Sequence, residues 1–385
     1  MKREGGKIIL SASDLMRFQG CQHATTLDLA WLERRGGPFR GIGPKADDEG
    51  AKLLQAKGDA HERGFLDELK AAGIDVAEIE TKRASLADAY AMTRAALQSG
   101  KPIVYQAALA GGAWAGFADF LERVEHPSSL GDFSYEVIDT KLKRSPSPSH
   151  VLQLALYSDL LTEIQGTSPE HIHVVLGHGK RATLRLGDYI HYARRLRNRL
   201  ESFVAAPSAT RPEPSSACTL CRWRERCANE WHASASLCLV AGIRRRQRAK
   251  LEAAGITTLA QLAKRKLPVS DLAPEMLARL KTQARLQHAR RAGGLPRFEL
   301  RKDVEDGMGF ARMPKPTKAD LFFDMEGDPL VEGGLEYLFG IYHEADGKGR
   351  FEAIWAAAGH PKGGFQLTPA QLVALTGAPV EDVAE

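Results

Sequence analysis

The chain has 385 residues, 43% of them hydrophobic and 26% charged, the make-up of a globular protein with room for two or three domains. No apolar run reaches membrane-spanning length and MKREGGKIIL carries no signal-peptide core, so a cytoplasmic protein without a membrane partner is expected. The net charge of +5 is uneven: Ala241–Leu300 holds 14 Lys/Arg against 4 Asp/Glu, and the remainder is acidic at 39 against 44, which points to a polyanion partner or a solvated basic helix face.

Taken in chain order, a short helix capped by Ser11 or Ser13 leads to Cys21, and helical patterns follow over Ala51–Ala72 and Leu86–Leu97. Strand-like runs come next at Ile103–Ala110, Trp114–Val124 and Tyr135–Leu142, then the turn-rich tract SPSPSH. A helix over Val151–Ile164, strands at His171–Gly177 and Ala182–Leu186, and a helix over Asp188–Ala205 complete a mixed α/β core. A Pro/Ser-rich loop, Ala205–Ala217, runs into a group of cysteines. Residues 236–292 read as a small helical module, 293–318 as a linker, and 319–385 as a third segment opening with the strand LFFDMEGDP.

Five cysteines are too few, and too clustered, for a disulfide framework in a reducing compartment. Cys218, Cys221 and Cys227 form C-x2-C-x5-C, and Cys21 stands far upstream. Three close thiolates with a distant fourth suit an iron–sulfur cluster or zinc, and the spacing alone leaves that choice open. Either would staple the N-terminal helix to the end of the first domain, with Trp223 and Trp231 as shields. Cys238, in SLCLV, reads as a small buried hydrophobe.

In GFADFLERV, Asp119 sits on a strand, and in YEVIDTKLKR, Asp139 and Lys141 share one face of the next. If the strands pair, the two aspartates converge on a hard divalent cation such as Mg²⁺ or Mn²⁺, with Lys141 stabilising developing negative charge. Gln153 and Tyr157 are four apart on the following helix and share a face. His61, alone on its helix, reads by itself as a surface or core histidine.

The order His61, Asp119, Asp139-x-Lys141, Gln153-xxx-Tyr157 resembles the RecB-type branch of the PD-(D/E)XK nucleases. With Cys21 upstream and C-x2-C-x5-C downstream it is similar to cluster-bearing members such as AddB and the fourth family of CRISPR-associated exonucleases. It also resembles bacterial RecB-like nucleases that continue into helix-hairpin-helix and RNase H-like segments. The resemblance covers roughly residues 1–235. It implies a 4Fe–4S cluster on the four cysteines, and His61, Asp119, Asp139 and the Thr140 carbonyl as Mg²⁺ or Mn²⁺ ligands. Gln153 and Tyr157 would help hold DNA and the lysine. Many relatives carry Glu at the position of Asp139.

LVAGIRRRQRAKLEAAGITTLAQLAK resembles a helix-hairpin-helix module, with Gly242 and Gly255 as hairpin glycines and Arg244, Arg245, Arg246 and Arg248 as phosphate partners. LFFDMEGDP looks like the start of an RNase H-like exonuclease, with Asp324 and Glu326 as an acidic pair. About sixty residues follow it, too few for that whole fold, and from Ala356 the pattern lapses into Ala/Gly-rich sequence. The expected activity is thus a metal-dependent deoxyribonuclease, an exonuclease on single-stranded or end-bearing DNA, within a repair, recombination or defence complex of proteins. The alternative is a DNA-binding scaffold or partner subunit with a vestigial nuclease fold.

Overall fold

The computed structural model describes residues 1–33, 43–46, 49–81, 83–266, 268–295, 297–300, 307–317, 319–328, 334–345 and 347–355. The Ala/Gly-rich end from Ala356 lies outside these. The chain divides into two units, Met1–Arg297 and Phe298–Glu385.

The first unit opens with a hairpin, β1 (Lys2–Glu4) and β2 (Lys7–Ile9), then α1 (Ala12–Gly20) and α2 (Gln22–Glu33). Ser11 caps α1 by accepting from the Asp14 N–H while the Asp14 carboxylate accepts from the Ser11 N–H. Next come α3 (Glu49–Ala71), β3 (Val76–Glu78), α4 (Leu86–Gln98), β4 (Ile103–Gly111), β5 (Trp114–Val124) and β6 (Ser134–Lys141). After these come α5 (Pro148–Gln165), β7 (His171–Leu176), β8 (Arg181–Arg185) and α6 (Ile190–Ala205).

The six strands form one mixed sheet in the order β3-β4-β5-β6-β7-β8. β3 runs parallel to β4 and β6 to β7, while β4–β5, β5–β6 and β7–β8 are antiparallel. Side chains alternate between two cores, as strand geometry requires. Val104, Leu121, Val137, Ile172 and Val174 pack on one face with α1, α4, α5 and α6. Ile103, Phe120, Ile138 and Val175 pack on the other with Leu66 of α3. The result is a mixed α/β architecture with helices on both faces of the sheet.

α5 is apolar nearly all round because it is enclosed by the sheet on one side and by α1 and α6 on the other. Pro148 at its first turn and Gly166, left-handed at φ 70°, bound it. Its last residue, Gln165, accepts from the Tyr135 N–H and donates to the Tyr135 carbonyl, fixing β6 to the helix that follows it.

The unit continues with α7 (Arg224–Ala233), α8 (Arg245–Ala253), α9 (Leu259–Lys264) and α10 (Pro274–Arg291). The last three enclose a small core of their own, including Leu251, Ile256, Leu259, Leu262, Leu277 and Leu280. In the second unit β9 (Phe322–Asp328), β10 (Leu335–Ala345) and β11 (Lys348–Trp355) form an antiparallel sheet in the order β11-β10-β9. Among the described residues no helix is long and apolar enough to cross a membrane.

Candidate active site and cysteine cluster

The β5–β6 ladder runs from Val124↔Ser134 to Phe120↔Ile138 and stops there, one step short of Asp119 and Asp139. Where the ladder ends, a carboxylate replaces a carbonyl: Asp119 Oδ2 accepts from the Thr140 N–H at 3.0 Å and lies 3.3 Å from its hydroxyl. Asp139, 1% exposed, forms an ion pair through Oδ2 with Lys141 Nζ at 2.7 Å. Its Oδ1 accepts from Gln153 Nε2 at 3.2 Å. The four residues from β5, β6 and α5 that sequence spacing groups together are thus joined in space.

Tyr157 completes the group. It is buried on the same face of α5 as Gln153, and burial, followed by the charges of Asp119 and Asp139, raises its pKa. Gly116 makes room for the ring: a Cβ there would stand 2.8 Å from Tyr157 Cε1 and 2.9 Å from its oxygen. Gly116→Ala is therefore expected to displace the Tyr157 ring, at an overpacking cost of about 1–3 kcal/mol. A urea titration of the variant beside the wild-type chain measures this.

Burial, and then the charge of Asp139, push the Asp119 pKa up to about 7; Lys141 and the Thr140 N–H pull the other way. Burial also raises Asp139, against the opposing pull of Lys141. For Lys141 itself burial favours the neutral amine, but Asp139 and Asp119 outweigh it, so its pKa is raised and it stays an ammonium. Two adjacent buried carboxylates whose pKa values burial raises offer the oxygen donors a hard divalent cation prefers, and such a cation can take the place of a proton.

His61 lies over the same end of the sheet, with Nε2 3.5 Å from the carbonyl of Val175, the residue paired with Thr140. Two neighbours are not apparent from the sequence. Gln106, opposite Asp119 in the β4–β5 register, has φ 54° and interrupts that ladder. Its side chain donates to Glu62 of α3, whose pKa is raised by burial and then by Asp119. A positive φ at a non-glycine residue within a strand is the mark of this break.

The cysteines converge on a separate group of residues. Cys21, Cys221 and Cys227 surround Trp223, which is fully buried with Ala24 and Leu27. A small enclosed cavity is lined by these three thiols, Cys218 and Trp231. Burial first, then Cys221, Cys21 and Cys218, push the Cys227 thiol up to about 12. Burial likewise raises Cys221, with Cys21 and Cys218 adding to it. Four thiols gathered around one small cavity are the donor set a thiophilic metal or cluster binds. Cys238 is half-buried beyond α7 and is absent from that cavity. Among the described residues no group of three or more His, Cys, Asp or Glu side chains is drawn tightly enough to hold a metal ion as it stands.

A buried carboxylate ties the two ends of the domain together beside the thiols. Asp28 of α2, 2% exposed, accepts at Oδ1 from Trp223 Nε1 (2.7 Å) and from Arg222 Nε (3.0 Å) and Nη2 (2.5 Å), and at Oδ2 from Arg17 (2.9 Å). Asp28→Ala is expected to cost about 3 kcal/mol by stranding buried donors, read as a lower urea midpoint.

In the helical module Gly242 and Gly255 are both left-handed, at φ 74° and 76°, so glycine is required at both turns. Arg244, Arg245 and Arg246 are exposed at the start of α8. Arg248 is not: it is 4% exposed and turned towards Glu213, 3.6 Å away, because it lies on the helix face that packs inward. The expectation that it meets phosphate is therefore corrected. Asp324 and Glu326 alternate on β9 and so share a face. No family model and no curated protein sequence matches the chain.

Proposed function

We propose that the first unit is a divalent-metal-dependent nuclease of the PD-(D/E)XK, RecB-like type, acting on single-stranded or end-bearing DNA. The observation that carries this reading is the joining of Asp119, Asp139, Lys141 and Gln153 at the point where the β5–β6 ladder ends.

Asp119 and Asp139 would hold Mg²⁺ or Mn²⁺, with His61 and the Thr140 carbonyl as the further donors that the resemblance implies. When bound, the cation supplies Lewis acidity and a water of lowered pKa. The chain's own part is orientation and charge. The Thr140 N–H fixes one oxygen of Asp119. Gln153 holds Asp139 through Oδ1, and Tyr157 in turn bears on Gln153. The Lys141 ammonium donates to a phosphoryl oxygen as negative charge grows on it.

Cys21, Cys218, Cys221 and Cys227 would hold a 4Fe–4S cluster whose contribution is bonding across the domain, not electron transfer. Exposed Arg244, Arg245 and Arg246 beside the Gly242 turn would meet DNA phosphates without reading sequence. The expected result is cleavage of labelled DNA that appears with Mg²⁺ or Mn²⁺ and disappears with EDTA. Cleavage indifferent to EDTA contradicts the proposal.

A further inference from the structure

α6 buries Ile190, Ala193, Leu196, Leu200 and Phe203 against the rest of its unit. Its opposite face lines a groove of about 710 Å³. The groove wall carries His191, Arg194, Arg195, Asn198 and Arg199 from α6, with Phe18 of α1 at its base, and no acidic residue. Arg194 is neutralised by Asp159 at 2.8 Å. Arg195 and Arg199 are exposed, and neither is paired with a carboxylate among the described residues; Arg199 lies over the Phe18 ring at 5.9 Å.

His191, Arg195 and Arg199 follow one another at four-residue spacing, so they form a single stripe along the helix. Like charges at that spacing oppose each other by a few tenths of a kcal/mol in an isolated helix. Here Arg195 and Arg199 do so along one wall of the groove. Like charge held without counter-charge around a groove is relieved by an anion that can reach several donors at once.

A second cavity, of about 490 Å³, shares Phe18, Gln22 and Arg199 with this one, and extends past Cys21 to Arg211 and Arg245 at the start of α8. Arg211 and Arg245 are both tethered by Glu213, at 3.1 and 2.9 Å, and so hold their positions at that wall. The two cavities therefore run from the exposed arginines of the helical module along α6, and share no residue with the Asp119–Asp139 group.

We infer that this α6 groove binds the sugar–phosphate backbone of a single-stranded nucleic acid, with Arg195 and Arg199 as its principal phosphate contacts. Arg195 and Arg199, one turn apart and unpaired on a wall without acidic residues, suit a repeating polyanion, while the one carboxylate lining the adjoining cavity, Glu213, is engaged by Arg211 and Arg245. The choice of DNA as the strand rests on the nuclease reading; the binding itself does not.

The test is fluorescence anisotropy of a labelled single-stranded oligodeoxynucleotide with the full chain in EDTA, where a metal-dependent nuclease is silent. Arg195→Glu/Arg199→Glu is expected to weaken binding at least tenfold and to flatten the salt dependence by about 1.4 in log–log slope, two single-strand phosphate contacts. Arg195→Glu alone, at a side chain with no protein partner, is expected to give a smaller loss and guards against a disturbed Phe18. Arg185→Glu, exposed on β8, serves as the control. Affinity and slope unchanged in the double variant would overturn the inference. So would inorganic phosphate or a mononucleotide occupying the groove without displacing the oligonucleotide, since that identifies a small-anion site. Because no cleavage is read, loss of nuclease activity and loss of this binding are separate outcomes.

Discussion

Lys141→Ala is expected to reduce metal-dependent DNA cleavage by about 10²–10³-fold or more while leaving a folded protein, the range seen when one preorganised donor to a developing oxyanion is removed. The lysine sits 2.7 Å from Asp139 with about a quarter of its side chain exposed, so its ammonium is held by one carboxylate and still open towards a ligand. Its removal does not strand a charge. Burial already raises the Asp139 pKa, and without the ammonium beside it that carboxyl takes up a proton instead of remaining an unpaired anion. The stability cost is therefore modest, about 1–2 kcal/mol. Lys141→Arg is expected to restore the charge without restoring the rate, because a planar fork cannot occupy the position of a compact ammonium. Single-turnover cleavage with a circular dichroism melt separates the two effects, and a fully active Lys141→Ala variant would remove the lysine from the proposed chemistry.

The largest effect on stability is expected at the cysteines. Protein purified without oxygen should be brown and contain iron, and Cys227→Ala or Cys21→Ser should lose both colour and iron and melt about 10 °C lower. The physical reason is the length of chain closed. Cys21 and Cys218 are 197 positions apart, and tying them restricts the unfolded ensemble more than any local contact does. The variants should nevertheless remain folded at low temperature. Asp28 joins α1, α2 and the Arg222–Trp223 turn by hydrogen bonds that need no metal, and Trp223 is buried in that seam. Stoichiometric zinc in a colourless protein would overturn the cluster and leave the staple intact.

Much of the sheet was legible because its strands alternate. Ile103–Ala110, Trp114–Val124 and Tyr135–Leu142 are strands by pattern, and β4, β5 and β6 match them to within a residue or two. Asp139 and Lys141 followed from the same period, since two residues apart on a strand means one face. What the sequence concealed depends on the third dimension. α2 and β3 were not anticipated; β3 is three residues long and gains its pairing only from β4. Glu62 gains its place from α3 lying across a sheet face whose residues are some forty or more positions away, and Gln106 from a backbone break that no local pattern announces. Arg248 was misread because a run of arginines carries no mark of which one the helix turns inward. The contact with Glu213, thirty-five positions earlier, decides that.

The most direct measurement is cleavage of end-labelled single- and double-stranded DNA by anaerobically purified full-length protein, titrated with Mg²⁺ or Mn²⁺ beside Asp139→Asn. The substitution keeps the shape of the side chain and its contact with Gln153 but removes the charge that a cation and Lys141 both require. The account predicts metal-dependent products from the wild-type chain and none above background from the variant. Equal cleavage by the two proteins, or none by iron-loaded wild type with either metal, would contradict it.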